Sequence, residues 1–169
     1  FWLANQGTST TTVYDGLGRQ AATVDALGNR SSVMFDAAGR QTATVNALGR
    51  RNTTIYDAAN RAVARIDALG YRTTATFDNS GQAIRATDAL GRLTTTVYDR
   101  GGRALAWINP LEYRTTTIYD AADRRLAVQD ANNHRTSMVY DRANGRIASS
   151  NGLGDRTTTI YDANGATLA

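Results

Sequence analysis

The sequence predicts an all-β fold, a tandem array of 21-residue repeats forming a continuous antiparallel β-hairpin strip that curls or stacks into a tube or filament. Three observations carry it. An aromatic residue followed by Asp recurs every 21 residues: Tyr14-Asp15, Phe35-Asp36, Tyr56-Asp57, Phe77-Asp78, Tyr98-Asp99, Tyr119-Asp120, Tyr140-Asp141 and Tyr161-Asp162. A second punctuation falls midway, as in Asp25-Ala-Leu-Gly28, Asn46-Ala-Leu-Gly49 and Asp67-Ala-Leu-Gly70. Between these marks the chain is dense in Thr, Val, Ile and aromatics, which favour strands, and the frequent breaks disfavour helix. A fixed period of this length means one supersecondary unit stacked many times, each burying its apolar surface against its neighbours.

Each punctuation mark reads as a turn. Asp or Asn at the first position accepts a bond from the backbone two residues on, and Gly, Asn or Asp at the fourth tolerates a left-handed backbone, together a type I turn. The fourth-position glycines are Gly18, Gly28, Gly39, Gly49, Gly70, Gly81, Gly91, Gly102, Gly154 and Gly165. Pro110 sits at a second position, where its fixed φ suits the turn. Glu112 is the misfit at a fourth position.

Side chains in a strand alternate with period two, and 21 is odd, so a regular meander would send Tyr14 and Phe35 to opposite faces. One extra residue per repeat must be absorbed. Because Asp25 to Asp36 is one residue longer than Asp15 to Asp25, the spacing places it in the Asp25-to-Asn29 type of turn. In that register Tyr14 faces Arg19 and Val24 faces Arg30. One sheet face then carries the rings with Ala21, Thr42 and Val63, and the other carries Val13, Met34, Ile55, Val97, Ile118 and Val139 with small alanines. A parallel β-solenoid, with each strand bonded to its equivalent one period on, is the alternative that tolerates an odd period without a bulge.

Composition narrows the function classes. All 19 basic residues are Arg, 14 of the 15 acids are Asp, and the net charge of +4 is too mild to suggest a dedicated nucleic-acid surface. There is no cysteine, so disulfides and thiolate metal sites are excluded. No stretch approaches the length of a membrane span. Phe1 and Ala169 lie a whole number of periods apart and both ends are apolar, which suggests a single array, residues 1–169, of about eight repeats cut from a longer chain.

Tyr14-Asp15-Gly16-Leu17-Gly18-Arg19, Phe35-Asp36-Ala37-Ala38-Gly39-Arg40 and Tyr98-Asp99-Arg100-Gly101-Gly102-Arg103 give the chain a recurring Tyr-Asp-x-x-Gly-Arg signature. In this the chain resembles the Rhs/YD-repeat family over essentially its whole length. The resemblance implies an antiparallel hairpin strip, which in Rhs and Tc-type toxins and in teneurins spirals into a hollow shell, enclosing a toxic carboxy-terminal segment in the toxins. The Asp-Pro-x-Gly-Leu signature of self-cleavage is not found, so that activity is not carried over. The evenness of the repeats favours a filament or a straight tube.

These readings lead to a structural, non-enzymatic extracellular or cell-surface fibre whose partners are further copies of the same array and which needs no cofactor. A wall segment of a toxin-enclosing shell is the second expectation, and a glycan- or cell-surface-binding module the third. The turn Asp residues are expected to form turns rather than bind calcium, since each turn supplies one carboxylate. Arg30, Arg51, Arg72, Arg114, Arg135 and Arg156 form a row, interrupted by Leu93, that could grip a polyanion or acidic glycan. Pairing with turn Asp, or stacking over a ring as Arg19 over Tyr14, is the plainer expectation. Asn29 and Asn52 head N-glycosylation patterns. His134, the one histidine, stands at a variable position beside a turn.

Overall fold

A computed structural model describes residues 9–160; the ring-Asp pair Tyr161-Asp162 and Gly165 lie outside them. It contains β1 (Thr11–Tyr14), β2 (Gln20–Val24), β3 (Arg30–Phe35), β4 (Gln41–Val45), β5 (Arg51–Tyr56), β6 (Ala62–Ile66), β7 (Arg72–Phe77) and β8 (Ala83–Thr87). After these come β9 (Leu93–Tyr98), β10 (Ala104–Ile108), β11 (Arg114–Tyr119), β12 (Arg125–Gln129), β13 (Arg135–Tyr140), β14 (Arg146–Ser150) and β15 (Arg156–Thr158). Strand order is sequence order, and the registered pairs are antiparallel. The solenoid alternative is thereby excluded. Short hairpin loops allow only antiparallel return, whereas parallel pairing needs a long crossover. The chain divides into two compact units, Phe1–Thr76 with Thr87–Gly91 and Phe77–Ala86 with Arg92–Ala169.

In the first unit both kinds of turn have the same build. At Asp25 the fourth-residue N–H (Gly28) returns to the Asp25 carbonyl at 3.0 Å, and the Asp25 N–H donates to the Asn29 carbonyl at 3.0 Å. At Asp15 the equivalent bonds are 3.0 Å and 2.8 Å. The fourth residue is left-handed at each turn, with Gly70 at φ 87° and Asn60 at φ 63°. These are five-residue loops on both edges, so the loops do not hold the extra residue.

It lies instead inside a strand. Val13 is opposite Ala22 but Tyr14 is opposite Gln20, leaving Ala21 as the unmatched residue; the same skip leaves out Thr42 and Val63. The expected pairing of Tyr14 with Arg19 is therefore wrong, while Val24 does face Arg30. Loop chemistry closes both turns identically, so the odd residue is absorbed where a strand tolerates a bulge and added twist. At one such site the Thr42 hydroxyl donates to the Met34 carbonyl at 3.3 Å.

The bulge keeps the rings in phase. Met34 faces Ala43, Ala43 faces Thr53, Thr53 faces Ile66, and Ile55 faces Ala64, so Met34 and Ile55 share one face and Phe35 and Tyr56 share the other. In the second unit the skips fall at Leu105, Leu126 and Ile147, with Val97 opposite Ala106, Ile118 opposite Ala127 and Val139 opposite Ala148. Its turns repeat the geometry, including a left-handed Glu112 at φ 64°. Because a left-handed conformation costs a side-chain-bearing residue about 1–2 kcal/mol, Glu112→Gly is expected to stabilise the second unit by about 1 kcal/mol in urea denaturation. An unchanged midpoint would show that the Glu112 side chain earns an offsetting contact.

The core is a line of alanines. Ala22, Ala43 and Ala64 in the first unit and Ala106, Ala127 and Ala148 in the second are the buried apolar residues, and no large side chain is fully buried among the described residues. Each occupies the middle of a five-residue strand between larger cross-strand neighbours. Position 85, the equivalent station of β8, carries Arg instead and is exposed.

Candidate functional site

Along the edge formed by the ring-Asp turns runs a ladder of charge and aromatic rings. Asp15 uses one carboxylate oxygen to accept the Leu17 N–H at 2.9 Å and the Arg19 N–H at 3.0 Å, and the other to accept Arg19 Nε at 2.7 Å. Asp36 with Arg40, Asp57 with Arg61, Asp99 with Arg103 and Asp120 with Arg124 repeat the arrangement. The guanidinium then passes over the ring of the following repeat: Arg19 over Phe35 at 4.3 Å and Arg40 over Tyr56 at 4.8 Å in the first unit, Arg103 over Tyr119 at 4.9 Å and Arg124 over Tyr140 at 4.8 Å in the second. Arg40 Nη1 also reaches the Asp57 carbonyl at 2.9 Å and Asn60 Oδ1 at 2.8 Å.

Stacking of Arg19 on Tyr14 is thus corrected to stacking on Phe35. The five-residue loop carries Arg19 away from its own repeat's ring and toward the next one. Tyr14 is 62 % exposed, whereas the stacked rings are half-buried. Tyrosine hydroxyls tie the ladder to the neighbouring strand, Tyr56 to the Gln41 carbonyl at 3.2 Å and Tyr140 to the Arg125 carbonyl at 3.0 Å.

The carboxyls of Asp15, Asp36, Asp57, Asp99 and Asp120 are held below the ordinary carboxylate range. The leading cause is the backbone N–H four residues on; the guanidinium adds to it and desolvation opposes it. Asp25 is lowered first by the Asn29 side-chain amide. At Asp130 desolvation is the largest single influence and pushes upward, but bonds from His134 and Asn132 together outweigh it. Carboxylates fastened to their own loops are structural anions, and no group of three or more His, Cys, Asp or Glu that could hold a metal occurs among the described residues.

The other arginine row behaves differently. Arg30, Arg51, Arg72, Arg114, Arg135 and Arg156 open their strands, are exposed, and make no ion pair with a turn Asp; Arg51 and Arg114 bond instead to Thr53 and Thr116 on their own strands. They stand opposite Val24, Val45, Ile66, Ile108, Gln129 and Ser150, so the expected pairing is not made. Asn29 is exposed in a turn with its amide bonded to Asp25 Oδ2 at 2.8 Å, and Asn52 is exposed on β5. His134 Nδ1 lies 3.1 Å from Asp130 Oδ2, and a Cβ added to Gly152 would meet the His134 Cβ at 2.5 Å, so this turn packs on the histidine.

Two features escaped the reading of the sequence. The turns between repeats present leucines outward, with Leu48 at 78 % and Leu153 at 84 % exposure. In the fourth repeat Gln82 replaces the ladder arginine and Arg85 the core alanine, beside an open depression of about 620 Å³ lined by Gln82, Arg85, Thr96, Tyr98 and Asp99. Both were written as departures from, or regularities in, the repeat. No helix among the described residues is long and apolar enough to cross a membrane.

No family model matches the sequence, and no curated protein matches it. Among solved structures the chain is similar to a crystal structure of TcdB2-TccC3 without its hypervariable C-terminal region, at TM-score 0.58 and 19 % identity over 94 % of this chain. It is also similar to a crystal structure of TcdB2-TccC3 at TM-score 0.52 and 16 % identity, again over 94 % of this chain. The chain spans about a tenth of those chains, 10 % and 11 % respectively. The likeness is one of fold, and it is consistent with an Rhs-like hairpin strip.

Proposed function

We propose that the chain is a non-catalytic wall segment, a stretch of hairpin strip whose work is to present continuous surface in a shell of the kind to which the TcdB2-TccC3 fold belongs. The observation that carries this is the alanine core: among the described residues the buried apolar side chains are all alanine, which suits a single sheet presented as surface rather than layers packed around a cleft. The Asp-Arg-ring ladder supports it, because where it occurs it joins one repeat to the next through side chains of the strip itself. In this reading the wall serves outside the cell that makes it, and further copies or further lengths of the strip are its partners.

A surface filament is the second reading, favoured by the uniform five-residue turns on both edges. Negative-stain electron microscopy of the protein in the chain context in which it is made separates the two. Hollow closed particles are expected. Filaments would replace the shell by the fibre, and isolated thin monomers at every concentration would overturn both.

A further inference from the structure

The two edges of the strip close with the same loop but carry opposite surfaces. Among the described residues sixteen large apolar side chains are left exposed, and eight of them lie in the turns between repeats: Leu27, Leu48, Leu69, Tyr71, Leu90, Leu111, Tyr113 and Leu153. Among the described ring-Asp turns only Leu17 belongs to this set. Turn chemistry does not ask for the difference. The third loop position donates its N–H to the first-position side chain whether it is Leu, as at Leu27 and Leu69, or Ala, Ser or Gly, as at Ala38, Ser80 and Gly101. A Leu side chain there costs water contact and gives nothing back to its own loop.

We infer that this leucine edge is a self-association seam, and that its occupant is the same edge of a second strip of this chain. Rungs two strands apart recur about every 10 Å, so a surface that meets every leucine at once must carry the same spacing, as another copy of the repeat does. The opposite edge is a poor partner, since it would set Leu against the Asp-Arg pairs. Charge favours the same occupant. In the first unit the arginines Arg30, Arg51 and Arg72 open the strand leaving each loop, while Asp25, Asn46 and Asp67 open the loops themselves. An edge that alternates Arg with Asp or Asn offers both signs of charge to a second copy of itself. The inference does not depend on whether the assembled wall closes or runs on as a fibre.

The absence of cysteine makes the seam directly readable. Leu48→Cys in the full chain is expected to form a disulfide-linked dimer under mild oxidation, because like edges in register bring equivalent turns within bonding reach. Ala38→Cys, at the same loop position of the other edge, is expected to stay monomeric. In sedimentation velocity, the combined Leu27→Ser, Leu48→Ser, Leu69→Ser and Leu90→Ser variant, with unchanged circular dichroism, is expected to weaken self-association at least tenfold. The seam is overturned if Leu48→Cys crosslinks only when mixed with Ala38→Cys, if the four-serine variant associates as the parent does, or if the parent stays monomeric at all concentrations.

Discussion

Replacing Ala127 by Asp is expected to destabilise the second unit by about 2–3 kcal/mol, the cost of desolvating a short polar group that finds no partner. Ala127 is 0 % exposed, in the middle of β12, opposite Ile118 on one side and Ser137 on the other. An Asp carboxylate cannot reach past those neighbours to water. A long side chain can: Arg85 occupies the equivalent station of β8 and is exposed, and a stem of that length can carry its charge out to water. Ala127→Arg is therefore expected to cost less than about 1 kcal/mol. Urea denaturation followed by circular dichroism measures both, and equal losses for the two variants would show that the alanine row is not selected for size and polarity as described.

Acid is expected to dissolve the fold through its turns. Seven carboxyls, those of Asp15, Asp25, Asp36, Asp57, Asp99, Asp120 and Asp130, have pKa values lowered in the folded state. A depressed folded-state pKa means the unfolded chain binds protons more readily. The stabilisation is then fully present above the ordinary carboxylate pKa of about 3.9 and is lost as pH falls below it through the folded-state values. Stability should be flat from neutral pH down to about 5 and then fall steeply, as each protonated Asp releases two backbone N–H bonds and, at the ladder turns, its arginine. Circular dichroism melts along a pH series test this. A loss of stability already complete between pH 7 and 5 would overturn the assignment to the turn carboxyls.

How far the sequence revealed this molecule depends on the reach of each interaction. The turns were legible because their chemistry is local: Asp25, Leu27, Gly28 and Asn29 make the loop among themselves. The common face of the rings was legible too, since an odd period demands one irregular residue wherever it sits. Its location was not. Ala21, Thr42 and Val63 differ from one another and are ordinary strand residues, so no side chain advertises the skip, and the unequal spacing of the Asp residues pointed to a loop that is in fact the same on both edges. The ladder was half legible. That Arg19 pairs with a carboxylate or a ring was expected, but its stacking on Phe35 in the next repeat, and the bareness of the Arg30 row, depend on where the five-residue loop aims each side chain. The outward leucines were visible as a motif but were read only as part of a turn.

The skipped strand residue also dictates how such a chain can change in length. Because Arg40, Arg103 and Arg124 reach the ring and the turn of the following repeat, whole units of 21 residues can be gained or lost with every remaining junction of this kind intact. Loss of a lone residue is another matter. Deleting Leu126 alone would remove the compensation at one rung and turn all later rings to the reverse side of the sheet, away from the arginines meant to cover them. Growth by duplication is thus harmless to this architecture, and a single dropped codon triplet inside β12 is among the most damaging edits it can suffer.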